Sequence, residues 1–249
     1  MFVYIIYTGS LEGTIHILFK SRISANVFIR MPKKTLNTLF QIHTYIIFYI
    51  FILYAFTMSK TALVILAQGA EEMETVITVD MLRRGGVTVT MVGLDGDGPV
   101  LCSRQVTLVP DKSLAAALAE KPEYDAVILP GGLDGSERLS KSSTVGTLLQ
   151  QHEKAGKIVA AICAAPTAFV AHGVGKGKRV TSYPTTKDKI DGQPGDYKYV
   201  EGERVVVDGN IVTSRGPGTA YWFGLTLIEL LTGKEKADQV EKGMIITGY

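Results

Sequence analysis

Residues 58 to 249 predict an α/β fold, a doubly wound and mostly parallel sheet with helices on both faces. Two observations carry that expectation. Short apolar runs such as Ala62-Leu63-Val64-Ile65-Leu66-Ala67 are continuous rather than alternating, as strands covered on both faces of a parallel sheet must be. Between these runs lie stretches of helical spacing closed by glycine turns, and the two kinds of segment alternate along the chain.

The first strand begins at Thr61, and Gly69 turns the chain after it. Glu71 to Arg84 repeats apolar residues at Met73, Val76, Ile77, Val79 and Met81 and places acids at its N-terminal end, where a helix dipole favours them. Gly85-Gly86 stops that helix. Val87 to Val92 reads as the second strand, Gly93 to Pro99 as a loop, and Val106 to Val109 as an edge segment near Cys102. The alanine-rich helix 114 to 120 and the third strand, 126 to 129, follow, and the strand runs into Pro130-Gly131-Gly132. A helix from Val145 to Ala155 leads to the fourth strand, 158 to 162. The second half adds a helix at Pro166 to His172, a strand at Arg179 to Ser182 and a hairpin from Tyr197 to Ser214 turning at Asp208-Gly209-Asn210. A long helix, Thr219 to Leu231, closes the pattern. No linker, repeat or low-complexity tract interrupts Thr61 to Tyr249, which therefore reads as one domain.

At 249 residues with 46% apolar content the chain can bury a substantial core. The net charge of +2 hides an asymmetry: residues 1 to 57 hold five basic groups and one acid, leaving 21 basic against 23 acidic residues in the rest. That main domain has no basic run or interleaved aromatic stripe, so sequence-specific nucleic-acid binding is not expected. With only Cys102 and Cys163, a disulfide framework is excluded, and the usage points to a reduced protein of the cytoplasm. There is no Walker loop, no GxGxxG and no Cys/His cluster at metal spacing, so neither cofactor nor metal is expected.

Residues 1 to 57 stand apart as a leader ending in the apolar run Tyr45 to Phe56. The run is shorter than the ~20 residues of a membrane span, and Phe56-Thr57 makes a poor signal-peptide cleavage site. Three accounts stay open: translated upstream sequence ahead of a start at Met58, a targeting segment, and a weak anchor. No stable membrane insertion is expected of the main domain.

Ligand sites in open α/β sheets lie beyond the carboxyl ends of the strands. Three loops meet that description here: Gly69 to Glu72, Pro130 to Gly132 and Cys163 to Pro166. Cys163 sits between an apolar strand and a helix opened by Pro166. A helix N-terminus favours thiolate over thiol, so the placement predicts a lowered thiol pKa, with greater nucleophilicity and susceptibility to oxidation. A buried, inert cysteine is the plainer alternative, and the small residues Ala161, Ala164 and Ala165 count against it by leaving room for a strained turn and a close ligand. Backbone N–H groups of Pro130-Gly131-Gly132 and of Ala164 could form an oxyanion-type pocket, although Gly-Gly more commonly marks a simple turn. Of Glu71, Glu72 and Glu74, one carboxylate could reach Cys163, ordinary helix N-terminal acidity being the alternative. His152, in an expected surface helix, and His172 do not supply a Cys-His pair.

Ala67-Gln68-Gly69-Ala70-Glu71-Glu72-Met73-Glu74, Leu129-Pro130-Gly131-Gly132, Ala161-Ile162-Cys163-Ala164-Ala165-Pro166-Thr167 and Thr213-Ser214-Arg215-Gly216-Pro217-Gly218-Thr219, in that order, closely resemble the DJ-1/PfpI superfamily. The resemblance runs from Ser59 essentially to the C-terminus. It implies a flavodoxin-like fold, a homodimer, and a reactive cysteine at Cys163 beside Glu74, a protonated acid that hydrogen-bonds the thiolate or its sulfinate. It further implies that Gly131, Gly132 and Ala164 line the pocket, that Arg104 and Arg215 contribute to its polar rim, with bracing of the dimer as the alternative role for Arg215, and that Cys102 is a secondary, exposed cysteine open to modification. Tyr183 stands in Thr181-Ser182-Tyr183-Pro184 where many relatives carry a histidine. A tyrosine donates a hydrogen bond but is a poor general base near neutral pH, which shifts acid–base work onto Glu74. The implied activity is a glutathione-independent glyoxalase or deglycase acting on methylglyoxal, glyoxal and glycated amines or thiols. A redox sensor or redox-regulated chaperone, with Cys163 sulfinate as the signal, is the alternative. The resemblance adds nucleus and mitochondrion to the cytoplasm as compartments.

Overall fold

A computed structural model describes the backbone of residues 14–20 and 26–32 and the full structure of residues 59–246. The chain divides into two compact units, Met1–Met58 and Ser59–Tyr249. In the first, β1 (Thr14–Lys20) pairs antiparallel with β2 (Asn26–Pro32), two strands not expected from the sequence. The apolar run Tyr45 to Phe56 lies outside the described residues.

The second unit is built on a seven-stranded sheet. Its strands are β3 (Thr61–Leu66), β4 (Thr88–Gly93), β7 (Lys112–Ser113), β8 (Ala126–Leu129), β9 (Ile158–Ile162), β12 (Val205–Asp208) and β13 (Ile211–Ser214), while β5 (Val100–Leu101) and β6 (Thr107–Leu108) pair antiparallel in a separate two-stranded sheet. The order across the sheet is β12-β13-β9-β8-β3-β4-β7, parallel throughout except for β12, which turns back on β13 at Gly209-Asn210. This is the expected doubly wound sheet. The chain steps from β3 outward to β4, then crosses to the opposite side of β3 for β8, so the winding reverses between β3 and β8 and opens a crevice at their carboxyl ends.

Strand register sharpens that crevice. Leu129 of β8 lies beside Ala161 of β9, and Ile162 beside Ser214 of β13, so Pro130-Gly131-Gly132, Cys163 and Arg215 leave the sheet at one level. Continuous burial explains the strand sequences: every residue of β8, and all but the first of β3 and β9, is buried. Leu63, Ile65, Val127, Leu129, Val159 and Ala161 face one hydrophobic layer, and Ala62, Val64, Ile128, Ala160 and Ile162 face the other.

Helices α1 (Glu72–Arg84), α6 (Ala220–Thr232) and α7 (Lys234–Gly243) contribute to the layer that contains Cys163. The other layer takes α2 (Leu114–Glu120), α3 (Leu133–Lys141), α4 (Ser143–Lys154) and α5 (Thr167–His172). Within α1 the packed face is Thr75, Thr78, Val79 and Leu82, whereas Met73 and Val76 of the apolar repeat are about half exposed. The sequence pattern does not mark helices α3 and α7. The segment around Tyr197 does not extend the hairpin: Lys198–Tyr199 (β11) pairs in parallel with Arg179–Val180 (β10). Between them Pro184–Lys189 forms a 3-10 helix that begins just after Tyr183. No helix of the described residues is long and apolar enough to cross a membrane.

Candidate active site

The site grows from three strand ends. After β3, Gly69 takes a φ of 78° and the backbone N–H of Glu71 donates to the Gly131 carbonyl at 3.0 Å, joining two of the loops. Glu71 is the N-cap of α1, its carboxylate accepting the Glu74 N–H at 2.7 Å. Glu72 turns the other way and accepts from the Ser103 hydroxyl and the Arg104 N–H. These two engagements leave Glu74 as the acid directed inward, with none of its surface exposed. Glu74 Oε2 accepts the Gly131 N–H at 2.7 Å, and the carboxyl also shares a hydrogen bond with the Cys163 sulfur. That sulfur contact is a loose one, since Oε1 is buried without a well-aligned partner.

Cys163 follows β9 with a φ of 64°, the left-handed conformation that an L side chain rarely adopts. Its neighbours hold it there. The Cys163 N–H donates to Ser214 O at 2.9 Å, and its carbonyl accepts from the Tyr183 N–H at 2.7 Å. Backbone N–H groups of Gly132 and Ala164 reach the sulfur, while the Gly131 N–H serves Glu74 instead. The expected cradle of amides therefore exists, but it is split between sulfur and carboxyl. Gly131 allows this only because it lacks a side chain, since a Cβ there would sit 2.5 Å from Cys163 Cβ and 2.6 Å from Glu74 Oε2. Gly132, at a φ of 87°, would press a Cβ against the Gly69 carbonyl.

Electrostatics correct one expectation. Burial pushes the Glu74 carboxyl up to about 8, against the lowering effect of its hydrogen bonds with Cys163 and Gly131, so it is protonated at neutral pH. The Cys163 thiol was expected to be lowered, and it is instead pushed up to about 12. Burial is the first cause and the negative charge of an ionised Glu74 the second, opposed by the N–H groups of Gly132 and Ala164. The Coulombic push from Glu74 acts only while that carboxyl is charged. With Glu74 neutral, its O–H can donate to sulfur, and the balance turns on burial against three donors. Glu71 is also raised, chiefly by burial and then by the Glu72 charge, while N–H groups of Glu74 and Met73 oppose both. Glu72 is held low despite its burial by hydrogen bonds from its own backbone, Ser103 and Arg104.

Above the sulfur opens a cleft of about 590 Å³, lined by Cys163, Glu71, Gly132, Arg104 and Tyr183 among others. Met73, Ser103, Leu133, Asp134 and Pro217 also line it, and the sequence reading did not assign them. Pro217 lies in the Thr213-Ser214-Arg215-Gly216-Pro217-Gly218-Thr219 segment, and Leu133-Asp134 directly follow the Gly-Gly pair, so position after a strand end is the available signal. Arg215, expected at the rim, is not among the lining residues, and its charge acts on Glu201. Cys102 corrects another expectation. It is only 2% exposed because it packs with Leu66, Ala70 and Val100, and burial pushes its thiol up to about 11. His152 and His172 are structural. His152 is buried rather than superficial, Nε2 accepting the Tyr124 N–H and Nδ1 facing Leu148 O, and His172 Nε2 lies 2.9 Å from Leu139 O. Among the described residues no cluster suited to a metal ion occurs.

Comparison with known proteins places this geometry. The DJ-1/PfpI family pattern matches residues 60–230. "Protein dj-1beta" of Drosophila melanogaster is 53% identical over 189 residues, covering 76% of this chain and 98% of that protein. A Caenorhabditis elegans protein named "Glutathione-independent glyoxalase DJR-1.2" is 38% identical over 188 residues, covering 75% and 97%. The crystal structure of Drosophila melanogaster DJ-1beta superposes with a TM-score of 0.73 at 52% identity, covering 77% of this chain and all of that one. With a family pattern spanning most of the length and a relative more than half identical along nearly its whole sequence, the chain belongs to the DJ-1/PfpI family.

Proposed function

We propose that residues 58–249 form a glutathione-independent glyoxalase, with Cys163 as nucleophile and Glu74 as proton carrier. The observation that carries this reading is the fully buried Glu74 carboxyl set beside the Cys163 sulfur at the floor of an open cleft. A worm relative with a glyoxalase name supports it.

In the proposed reaction the Cys163 thiolate bonds to the aldehyde carbon of methylglyoxal, and the carbonyl oxygen takes the proton of Glu74 to give a neutral hemithioacetal. The resulting Glu74 carboxylate removes the C1 proton and returns it to C2 while the C1 hydroxyl proton passes to the C2 oxygen, so the aldehyde carbon is oxidised to a thioester and the ketone carbon reduced to an alcohol within one molecule. Water then hydrolyses the thioester, releasing lactate and a thiol whose proton passes back to Glu74, which restores the starting pair. Glyoxal gives glycolate by the same steps. No external oxidant or reductant enters. Dicarbonyl adducts of amines and thiols meet the same nucleophile once they release or present the aldehyde, which is the deglycase form of the activity. Arg104 and Tyr183 bind substrate at the rim, and Gly131, Gly132 and Ala164 hold carboxyl and sulfur in place.

The family resemblance also supports a homodimer, and the cysteine usage supports the cytoplasm, with nucleus and mitochondrion as further compartments. A second reading rests on the same donors: two amides and a neutral carboxyl around sulfur would hold a sulfinate, making Cys163 a redox sensor of a chaperone-like protein. Methylglyoxal consumption by purified wild type and Cys163→Ser separates the two. Full activity in the variant ends the glyoxalase reading, and a wild type that forms sulfinate without turning over aldehyde favours the sensor.

A further inference from the structure

The cleft above Cys163 is far larger than a three-carbon dicarbonyl requires, since volumes of this size hold ligands of many more atoms. Its mouth also carries exposed apolar side chains. Leu133 is 62% exposed, Met73 52% and Tyr183 41%, and all three line this one cleft. Polar groups are present as well: Glu71, Arg104, Ser103 and Asp134 also line it, so an apolar collar and polar groups share one opening.

Tyr183 is the most firmly mounted part of the collar. Its N–H donates to Cys163 O at 2.7 Å, so its main chain is tied to the backbone of the nucleophile itself. Its carbonyl accepts from the Thr186 hydroxyl at 2.8 Å and from the Ser182 hydroxyl at 3.2 Å. Ser182 is in turn bridged to the Tyr199 phenol at 3.2 Å. Gly216 leaves space for the ring edge, because a Cβ there would meet Tyr183 Cδ2 at 3.2 Å. An exposed aromatic ring on such a fixed mount, next to a reactive sulfur, presents a preformed face at little entropic cost.

We propose that Tyr183, with Leu133 and Met73, forms a subsite for the substituent of the 1,2-dicarbonyl substrate, so that apolar and aromatic substituents are preferred over hydrogen or methyl. The inference rests on the glyoxalase reading and specifies its substrate class. When sulfur bonds to the aldehyde carbon, the substituent on the neighbouring carbonyl points away from the buried Glu74 and toward the mouth. A planar ring there removes apolar surface of Tyr183 and Leu133 from water, which a hydrogen atom cannot do.

Phenylglyoxal, methylglyoxal and glyoxal serve as probes with purified wild type, Tyr183→Ala, Tyr183→Phe and Leu133→Ser, each checked for an unchanged thermal midpoint. Because the aldehydes differ in intrinsic reactivity, the informative quantity is the ratio of kcat/KM for phenylglyoxal to that for glyoxal, compared between variant and wild type. The expected result is a ratio lowered about 10-fold in Tyr183→Ala and about 3-fold in Leu133→Ser, the scale of lost apolar pocket contacts, and kept within about 2-fold in Tyr183→Phe. An unchanged ratio in Tyr183→Ala overturns the inference while leaving the glyoxalase reading intact. A loss in Tyr183→Phe as large as in Tyr183→Ala also overturns it, since the hydroxyl rather than the ring would then select. A wild type that consumes none of the three aldehydes removes the glyoxalase reading, and this inference with it.

Discussion

The two cysteines lie in the same kind of place and face different chemistry. Cys163 and Cys102 are 7% and 2% exposed, and burial raises both thiols. Around Cys102 that is nearly the whole account: its sulfur has a weak contact with Val100 O at 3.9 Å, and the charges of Glu72 and Glu71 push the thiol further up. Cys163 has in addition a left-handed backbone, two amides on sulfur, a shared hydrogen bond with a carboxyl group and an open cleft above it. Burial alone makes a thiol inert. The directed donors at one site, absent from the other, are what the proposed chemistry requires.

Turnover is the harshest test of that contrast. Cys163→Ala removes the nucleophile and should lower kcat/KM for methylglyoxal at least ~1,000-fold, whereas Cys102→Ala should change it less than ~3-fold. Comparable losses in the two variants would erase the distinction. Stability against pH gives the next largest effect. Glu74 is about 8 in the folded state against 4.5 when unfolded, so the folded protein binds more protons in that window and stability falls as pH rises through it. Between pH 5 and 7 the wild type should lose about 2–3 kcal/mol from this source, and Glu74→Gln should lose none of it. Chemical denaturation of both proteins at the two pH values checks the sign as well as the size.

Glycines sharpen the comparison at the backbone. An alanine at Gly131 would drive its Cβ into Cys163 Cβ and the Ile162 carbonyl, neither of which can swing aside, so Gly131→Ala should cost about 1–3 kcal/mol of stability and disturb the site. In the loop ahead of Cys102, Gly98 has nothing within 4 Å of the added carbon, and Gly98→Ala should stay within ~0.5 kcal/mol. Denaturant midpoints at matched m-values decide both.

The parts legible in the sequence are those where burial is complete. Strands 126–129 and 158–162 were read to the residue because covered strands leave an unbroken apolar signature. Helix α3 was missed because its N-cap is Gly132, without a capping side chain, and because Gly135 interrupts it. That glycine is required by packing: a Cβ would come within 2.9 Å of Ala70 Cα, a neighbour supplied by tertiary structure alone. The carboxylate choice was similarly opaque. Glu71, Glu72 and Glu74 look alike in sequence, and only family resemblance singled out Glu74. The fold distinguishes them by engaging Glu71 at the helix cap and Glu72 on the Ser103 loop. His152 misled because its face of α4 turns out to cover the Tyr124 amide.

The most discriminating effect is a modest one, because it asks which member of the Cys163–Glu74 pair carries the charge. Replacing Glu74 by glutamine keeps a donor and the volume but removes the acidic proton. If Glu74 is neutral and donates to a thiolate, the weaker amide donor should raise the thiol pKa by about one unit and slow alkylation by iodoacetamide at pH 7 about 10-fold. If instead the carboxylate holds the charge beside a thiol, removing it takes away the repulsion and the thiol pKa falls. Rates of Cys163 modification followed by intact mass from pH 6 to 11, with Cys102 as the internal reference on the same chain, give opposite displacements for the two cases. A downward displacement would leave the sulfur protonated at neutral pH in the wild type and require the proposed addition to begin by proton transfer from thiol to Glu74.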